Sequence, residues 1–211
     1  MYWLSVLKSM VDALFRTNGH RSMPEADNVQ ERYNVDRPSL RRMDVKLSFH
    51  FSLFELTNTS NEELQAQNRT LSDAQITKLT ALANHCELIR GICGGGVNIH
   101  SGYRSLALNS TTVGSASTSQ HPKCEAVDFD VTYQTVEDTF NKLLAAAREG
   151  HLRFGQLILE RAERSYGTVE WVHCSVIGTL APEKVGQVMK MVAGPDGKPN
   201  YILIDRIKFP E

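Results

Sequence analysis

His121, Asp128 and His173 are the residues whose types and spacing most directly promise chemistry in this chain. Two imidazoles and one carboxylate match the donor set of catalytic zinc, which takes three protein ligands and keeps a fourth position for a water whose pKa falls to about 7. The set contains no thiolate. Two neutral ligands and one anion leave such an ion enough charge to polarise a carbonyl, which favours catalysis over a structural role. A phosphate-loop reading is weaker, because the glycine run Gly94 to Gly96 precedes a strand-like segment instead of opening a helix.

These side chains need elements to aim them. In EAVDFDV, apolar Val127, Phe129 and Val131 alternate with Ala126, Asp128 and Asp130, the period-2 pattern of a half-buried strand, so Asp128 shares a face with its neighbour Asp130. His121 falls just before, in a segment with Ser117, Thr118, Ser119 and Pro122 that reads as a loop over that strand. His173 sits in TVEWVHCSVI, a β-branched and aromatic run that reads as another strand. The remaining histidines, His20, His50, His85, His100 and His151, have no such surroundings and read as ordinary polar residues.

The stretches SGYRSLALN, SQHPKCEAVD, FGQLILE and EWVHCS, with an opening FHFSLFELTNTS, resemble the zinc D-alanyl-D-alanine carboxypeptidase and L-alanyl-D-glutamate endopeptidase family, the fifteenth family of metallopeptidases, in its phage and bacterial form. The resemblance covers roughly residues 47 to 178 and follows the family's motif order. It implies a hedgehog and D-Ala-D-Ala-peptidase-like fold, one zinc ion on His121, Asp128 and His173, and a substrate-binding, oxyanion-stabilising arginine at Arg104. It also implies a catalytic carboxylate at Glu170 and a substrate contact at Ser119. Cys124 departs from the pattern, standing where the family has glycine, a residue used where φ is positive or packing is close.

Hydrolysis needs a base that takes the proton of the attacking water and returns it to the leaving amine. Glu170 is the first candidate, yet it lies three residues before His173, and residues three apart on a regular strand face opposite sides. Glu170 therefore requires a turn or bulge, for which Ser165, Tyr166 and Gly167 provide material; the alternative base is Glu160, closing FGQLILE. Arg104 offers a planar fork of charged donors to an oxyanion or a substrate carboxylate.

Composition bounds the rest. With 211 residues, 41% hydrophobic and 22% charged, the chain can bury one good core, and a net charge of −1 without a basic stripe argues against nucleic acid. Cys86, Cys93, Cys124 and Cys174 lack CxxC spacing and read as free thiols, with a Cys86 to Cys93 bridge open only to an oxidising compartment. The apolar opening MYWLSVLKSMVDALF is interrupted by Lys8 and Asp12, too short to span a membrane and lacking the basic start and cleavage site of a signal peptide. It reads as an amphipathic helix on the core or on a partner, with a weak membrane-surface anchor as the alternative, followed by a polar linker.

Ser72 caps a helix with Ile76, Leu79, Leu82 and Ala83 at helical spacing; a second helix starts near Thr135 and ends at Gly150; the tail VGQVMKMVAGPDGKPNYILIDRI reads as a hairpin. The expected architecture is α+β, a mostly antiparallel sheet with packed helices whose polar face carries the zinc site. It divides into residues 1–45 (helix and linker), 46–181 (peptidase domain) and 182–211 (hairpin extension). The expected function is a zinc metallopeptidase acting on the stem peptides of bacterial peptidoglycan, a monomer made in the cytoplasm and acting on the wall in lysis or entry. The alternative is a catalytically inactive, zinc-containing wall-binding or virion structural module.

Overall fold

A computed structural model describes residues 45–194 and 199–210, and the expected N-terminal helix and linker lie outside them. The described residues open with three helices, α1 (Leu53–Thr57), α2 (Glu62–Asn68) and α3 (Asp73–Cys93). Strand β1 (Val97–Ser101) follows, then α4 (Leu106–Thr111), a single 3-10 turn (His121–Lys123) and β2 (Ala126–Val131). Helix α5 (Val136–Arg148) leads into the β3 (Gln156–Arg164) and β4 (Gly167–Ser175) hairpin, and β5 (Gln187–Ala193) and β6 (Pro199–Arg206) close the fold.

Local chemistry places the helix ends where the sequence puts them. Ser72 accepts from Gln75 N while the Gln75 side chain answers its backbone N–H, a capping box that satisfies two orphan donors, and Gly94 ends α3 at φ 70. Thr135 caps α5 through Asp138 N, and Gly150 follows that helix with φ 81. Ser52 builds a second capping box with Glu55 on α1.

The six strands form one sheet in the order β1-β2-β4-β3-β5-β6. It is mixed: β3 and β5 run parallel, joined through β4, while the other four neighbouring pairs are antiparallel. The C-terminal hairpin is thus hydrogen-bonded into the sheet. One face is covered by α3 and α5. Ile76, Leu79, Leu82, Ile89, Phe140 and Leu143 from these helices, with Val127, Phe129, Leu157 and Val172 from the strands, are almost completely buried. Each such side chain contributes about 1.5–3 kcal/mol, so this dry layer fixes the sheet and leaves its opposite face free for polar groups.

Candidate metal centre

The site forms on the face opposite α3 and α5 because strand register lines up its members. Asp128 of β2 is directly opposite His173 of β4, and Asp128 also pairs with Ser101 at the end of β1. Opposite residues in an antiparallel ladder share a face, so the period-2 placement of Asp128 also places His173. His121 comes from the 3-10 turn just before β2. The ligand atoms of His121, Asp128 and His173 lie within 4.8 Å of one another, the one such group among the described residues.

His121 is held by backbone. Its Nδ1 lies 2.6 Å from the Gly102 carbonyl oxygen, which only accepts, so Nδ1 carries the proton and Nε2 presents its lone pair to the cluster. That Nε2 is buried and lacks a hydrogen-bond partner, although Asp128 Oδ1 is 3.3 Å away. Gly102 is required by close approach: a Cβ there would meet the Leu56 carbonyl oxygen at 2.5 Å. Ser119 Oγ accepts from the His121 N–H at 3.3 Å, so the structure gives this residue a hold on the His121 turn. That turn ends at Cys124, with φ 60 and ψ 36. The departure from glycine thus falls on a left-handed residue, and the buried Cys124 thiol stays outside the ligand group.

Asp128 receives both imidazoles. His173 Nδ1 is 2.8 Å from its Oδ1. Burial alone would raise the Asp128 pKa, but His121 and His173 outweigh it and hold the carboxylate well below its usual range. Burial dominates at His121 and lowers its pKa, while at His173 burial is outweighed by Asp128 and the pKa rises. A buried carboxylate with two converging imidazoles is a place that wants positive charge. With the orphaned His121 Nε2, this donor set fits zinc.

Arg104 reaches the same place, with a terminal nitrogen 4.0 Å from Asp128 Oδ2 and a buried, unpartnered Nε. Burial lowers its pKa, opposed by the charges of Asp128 and Glu160. Its backbone is framed by a residue that the sequence did not flag. The fully buried Asn68 donates to the Thr57 and Tyr103 carbonyls at 2.7 and 3.1 Å and accepts from Ser105 N at 2.7 Å, clamping both neighbours of Arg104. An asparagine at the end of the polar run EELQAQN carries no signal of this distant partnership.

The structure separates the two candidate bases. Glu170 lies in regular strand opposite Arg161, is exposed, and takes the face of Val172, not that of His173. No bulge reverses it, so the expected catalytic carboxylate is not brought to the cluster. Glu160 is: it pairs with Trp171, two residues from His173, on the metal face. Burial raises its pKa and the Asp128 charge adds to this, while His173, Trp171 and Tyr201 pull it down. The Trp171 indole N–H is nevertheless buried without a well-formed hydrogen bond. Asp130, also on this face, is occupied outside the cluster by Asn98 Nδ2 at 2.6 Å and His100 Nε2 at 2.8 Å. All four cysteines are buried free thiols.

Fold and cluster together define an α+β protein with a three-residue group able to hold a metal, flanked by a half-buried arginine and a carboxylate of raised pKa. The family model for Peptidase M15 matches residues 50–175, and the chain belongs to this family of metallopeptidases. No curated protein matches the chain.

Proposed function

We propose that this chain is a zinc metallopeptidase that cuts the stem peptide of bacterial peptidoglycan, as a D-Ala-D-Ala carboxypeptidase or L-Ala-D-Glu endopeptidase serving wall lysis or entry. The observation that carries the reading is the convergence of His121, Asp128 and His173 on one face with Arg104 and Glu160 beside them. Held by those three ligands, zinc would supply a Lewis acid and lower the pKa of a water to about 7.

The chain's own residues do the rest. Glu160 takes the water's proton on a carboxylate oxygen and returns it to the leaving nitrogen; its raised pKa brings it nearer the working pH, where such exchange is efficient. Arg104 donates to the oxygen on which negative charge develops, or to a substrate carboxylate, and does so from a partly desolvated position where charge interactions are stronger. The Gly102 carbonyl holds the His121 ring in its tautomer throughout.

The test is hydrolysis of purified peptidoglycan by the zinc-loaded chain, with the new ends identified by mass spectrometry. Glu160→Gln should lower the rate by roughly 10²- to 10⁴-fold with zinc retained, and Glu170→Gln should leave it within about twofold, as for an exposed surface residue. Loss in Glu170→Gln alone would reverse the assignment. No cleavage by the folded, zinc-loaded wild type would replace the peptidase with a zinc-containing wall-binding module.

A further inference from the structure

The family match ends at residue 175, yet the sheet continues through β5 and β6 beyond β3, the strand that carries Glu160. Trp171 pairs with Glu160 across β4 and β3, Leu159 pairs with Lys190 across β3 and β5, and Met191 pairs with Tyr201 across β5 and β6. Met191 therefore flanks Glu160, and Tyr201 stands one strand beyond it in the same transverse row.

A bulge decides which side Tyr201 faces. Val188 pairs with Asp205 but Met189 pairs with Leu203, so Ile204 is an extra residue on β6. One extra residue inverts every side chain beyond it. Asp205, before the slip, reaches Arg148 of α5 on the helix-covered side at 2.5 Å. Tyr201, after it, turns to the metal face on the Glu160 side, still partly open to solvent; partial desolvation and the Glu160 charge both favour its protonated phenol. Without the bulge, Ile202 would oppose Met191 instead.

The hairpin is firmly docked. Val188 is fully buried, Lys190 Nζ lies 3.3 Å from a Glu137 oxygen, and the Ile207 N–H donates to the Gly186 carbonyl at 2.9 Å. A Cβ at Gly186 would collide with the Ile207 carbonyl, so only glycine permits this closure.

We propose that the C-terminal hairpin belongs to the catalytic apparatus, delivering Tyr201 as a positioning residue whose hydroxyl donates to the Glu160 carboxylate and orients it toward the metal centre. The proposal rests on the reading of Glu160 as the proton carrier. A donor on one carboxylate oxygen leaves the other free for the proton in transit and removes a rotational freedom that would otherwise be lost on reaching the transition state.

The experiment compares Tyr201→Phe, Glu160→Gln and wild type as full-length chains. Steady-state hydrolysis of soluble peptidoglycan fragments is combined with zinc content, thermal unfolding and the Tyr201 ¹³Cζ resonance of the metal-free protein. Tyr201→Phe should lower kcat about tenfold with KM within about twofold, the size of one hydrogen bond to a charged group, with zinc content and melting temperature unchanged. In Glu160→Gln the Tyr201 resonance should move. Wild-type kcat in Tyr201→Phe, a change confined to KM, or a resonance indifferent to Glu160→Gln each overturns the proposal. Inactive Glu160→Gln beside fully active Tyr201→Phe removes the hairpin's role alone, whereas active Glu160→Gln removes both assignments.

Discussion

Asp128 and Phe129 are neighbours on β2, yet they belong to different parts of the protein. Asp128 faces two imidazoles and an arginine; Phe129, with no exposed surface, faces the helix-covered layer. The same contrast separates Glu160 from Glu170 on the adjoining strands. One face of the sheet supplies stability through apolar burial, while the other holds polar groups in an arrangement that costs desolvation and is repaid only by mutual charge and a cation. Function on such a sheet is assigned by parity: a displacement of one residue exchanges a ligand for a core side chain.

The sharpest way to break this comparison is to change the two neighbours separately. Phe129→Ala should destabilise the fold by about 3–5 kcal/mol in urea unfolding, whereas Asp128→Asn should abolish zinc retention in metal analysis and lower the stability of the metal-free protein by less, through loss of its charge beside His121 and His173. Equal loss of stability in both would dissolve the distinction between the faces.

The dry face also carries a pH dependence. His85, on α3 near Cys174 Sγ at 3.6 Å, has its pKa lowered by burial from 6.5 to about 4. Its folded-state value is below its unfolded one, so the unfolded chain takes up a proton that the folded chain resists. The contribution is fully present above pH 6.5 and is lost as pH falls toward 4. A change from 6.5 to about 4 corresponds to roughly 3 kcal/mol. Denaturation at pH 7 and pH 4.5 should show His85→Leu losing less stability than wild type over that interval; parallel losses would contradict it.

Asn68→Ala tests how the polar face is framed from behind. Leaving the Tyr103 carbonyl and the Ser105 N–H without their partner should cost about 1–3 kcal/mol, and hydrolysis should fall beyond what the lost folded fraction explains, because Arg104 loses its clamp. Activity that simply tracks folded protein would reduce Asn68 to a structural residue. The smallest effect is expected at Cys124→Gly. Relief of a left-handed residue, about 1 kcal/mol, opposes the loss of a buried thiol, so stability should change by less than about 1 kcal/mol, and zinc affinity should hold. A large loss of affinity would mean that the thiol shapes the His121 turn.

Much of this architecture is legible in the amino-acid sequence. The caps at Ser72 and Thr135, the alternation around Asp128 and the turn residues of the tail are local signals, acting within a few residues, and α3, α5, β2 and the β5–β6 hairpin form where they point. The three ligand candidates are readable from residue type and motif, and the difficulty with Glu170 follows from strand parity alone. The short helices α1, α2 and α4 escape because they have too few turns to show a period.

What the amino-acid sequence determined by itself is therefore the local repertoire: which segments are strands or helices, where they end, and which side chains could bind a metal. Only the tertiary structure decided that β5 lies parallel against β3, that Gly102 and Asn68 hold His121 and Arg104 in place, and that Glu160 rather than Glu170 meets the cluster. It alone shows that a single extra residue in β6 turns Tyr201 to the metal face. Each of these depends on pairing between segments far apart along the chain, whose register is set by the burial of the whole apolar layer and not by any residue's own neighbours.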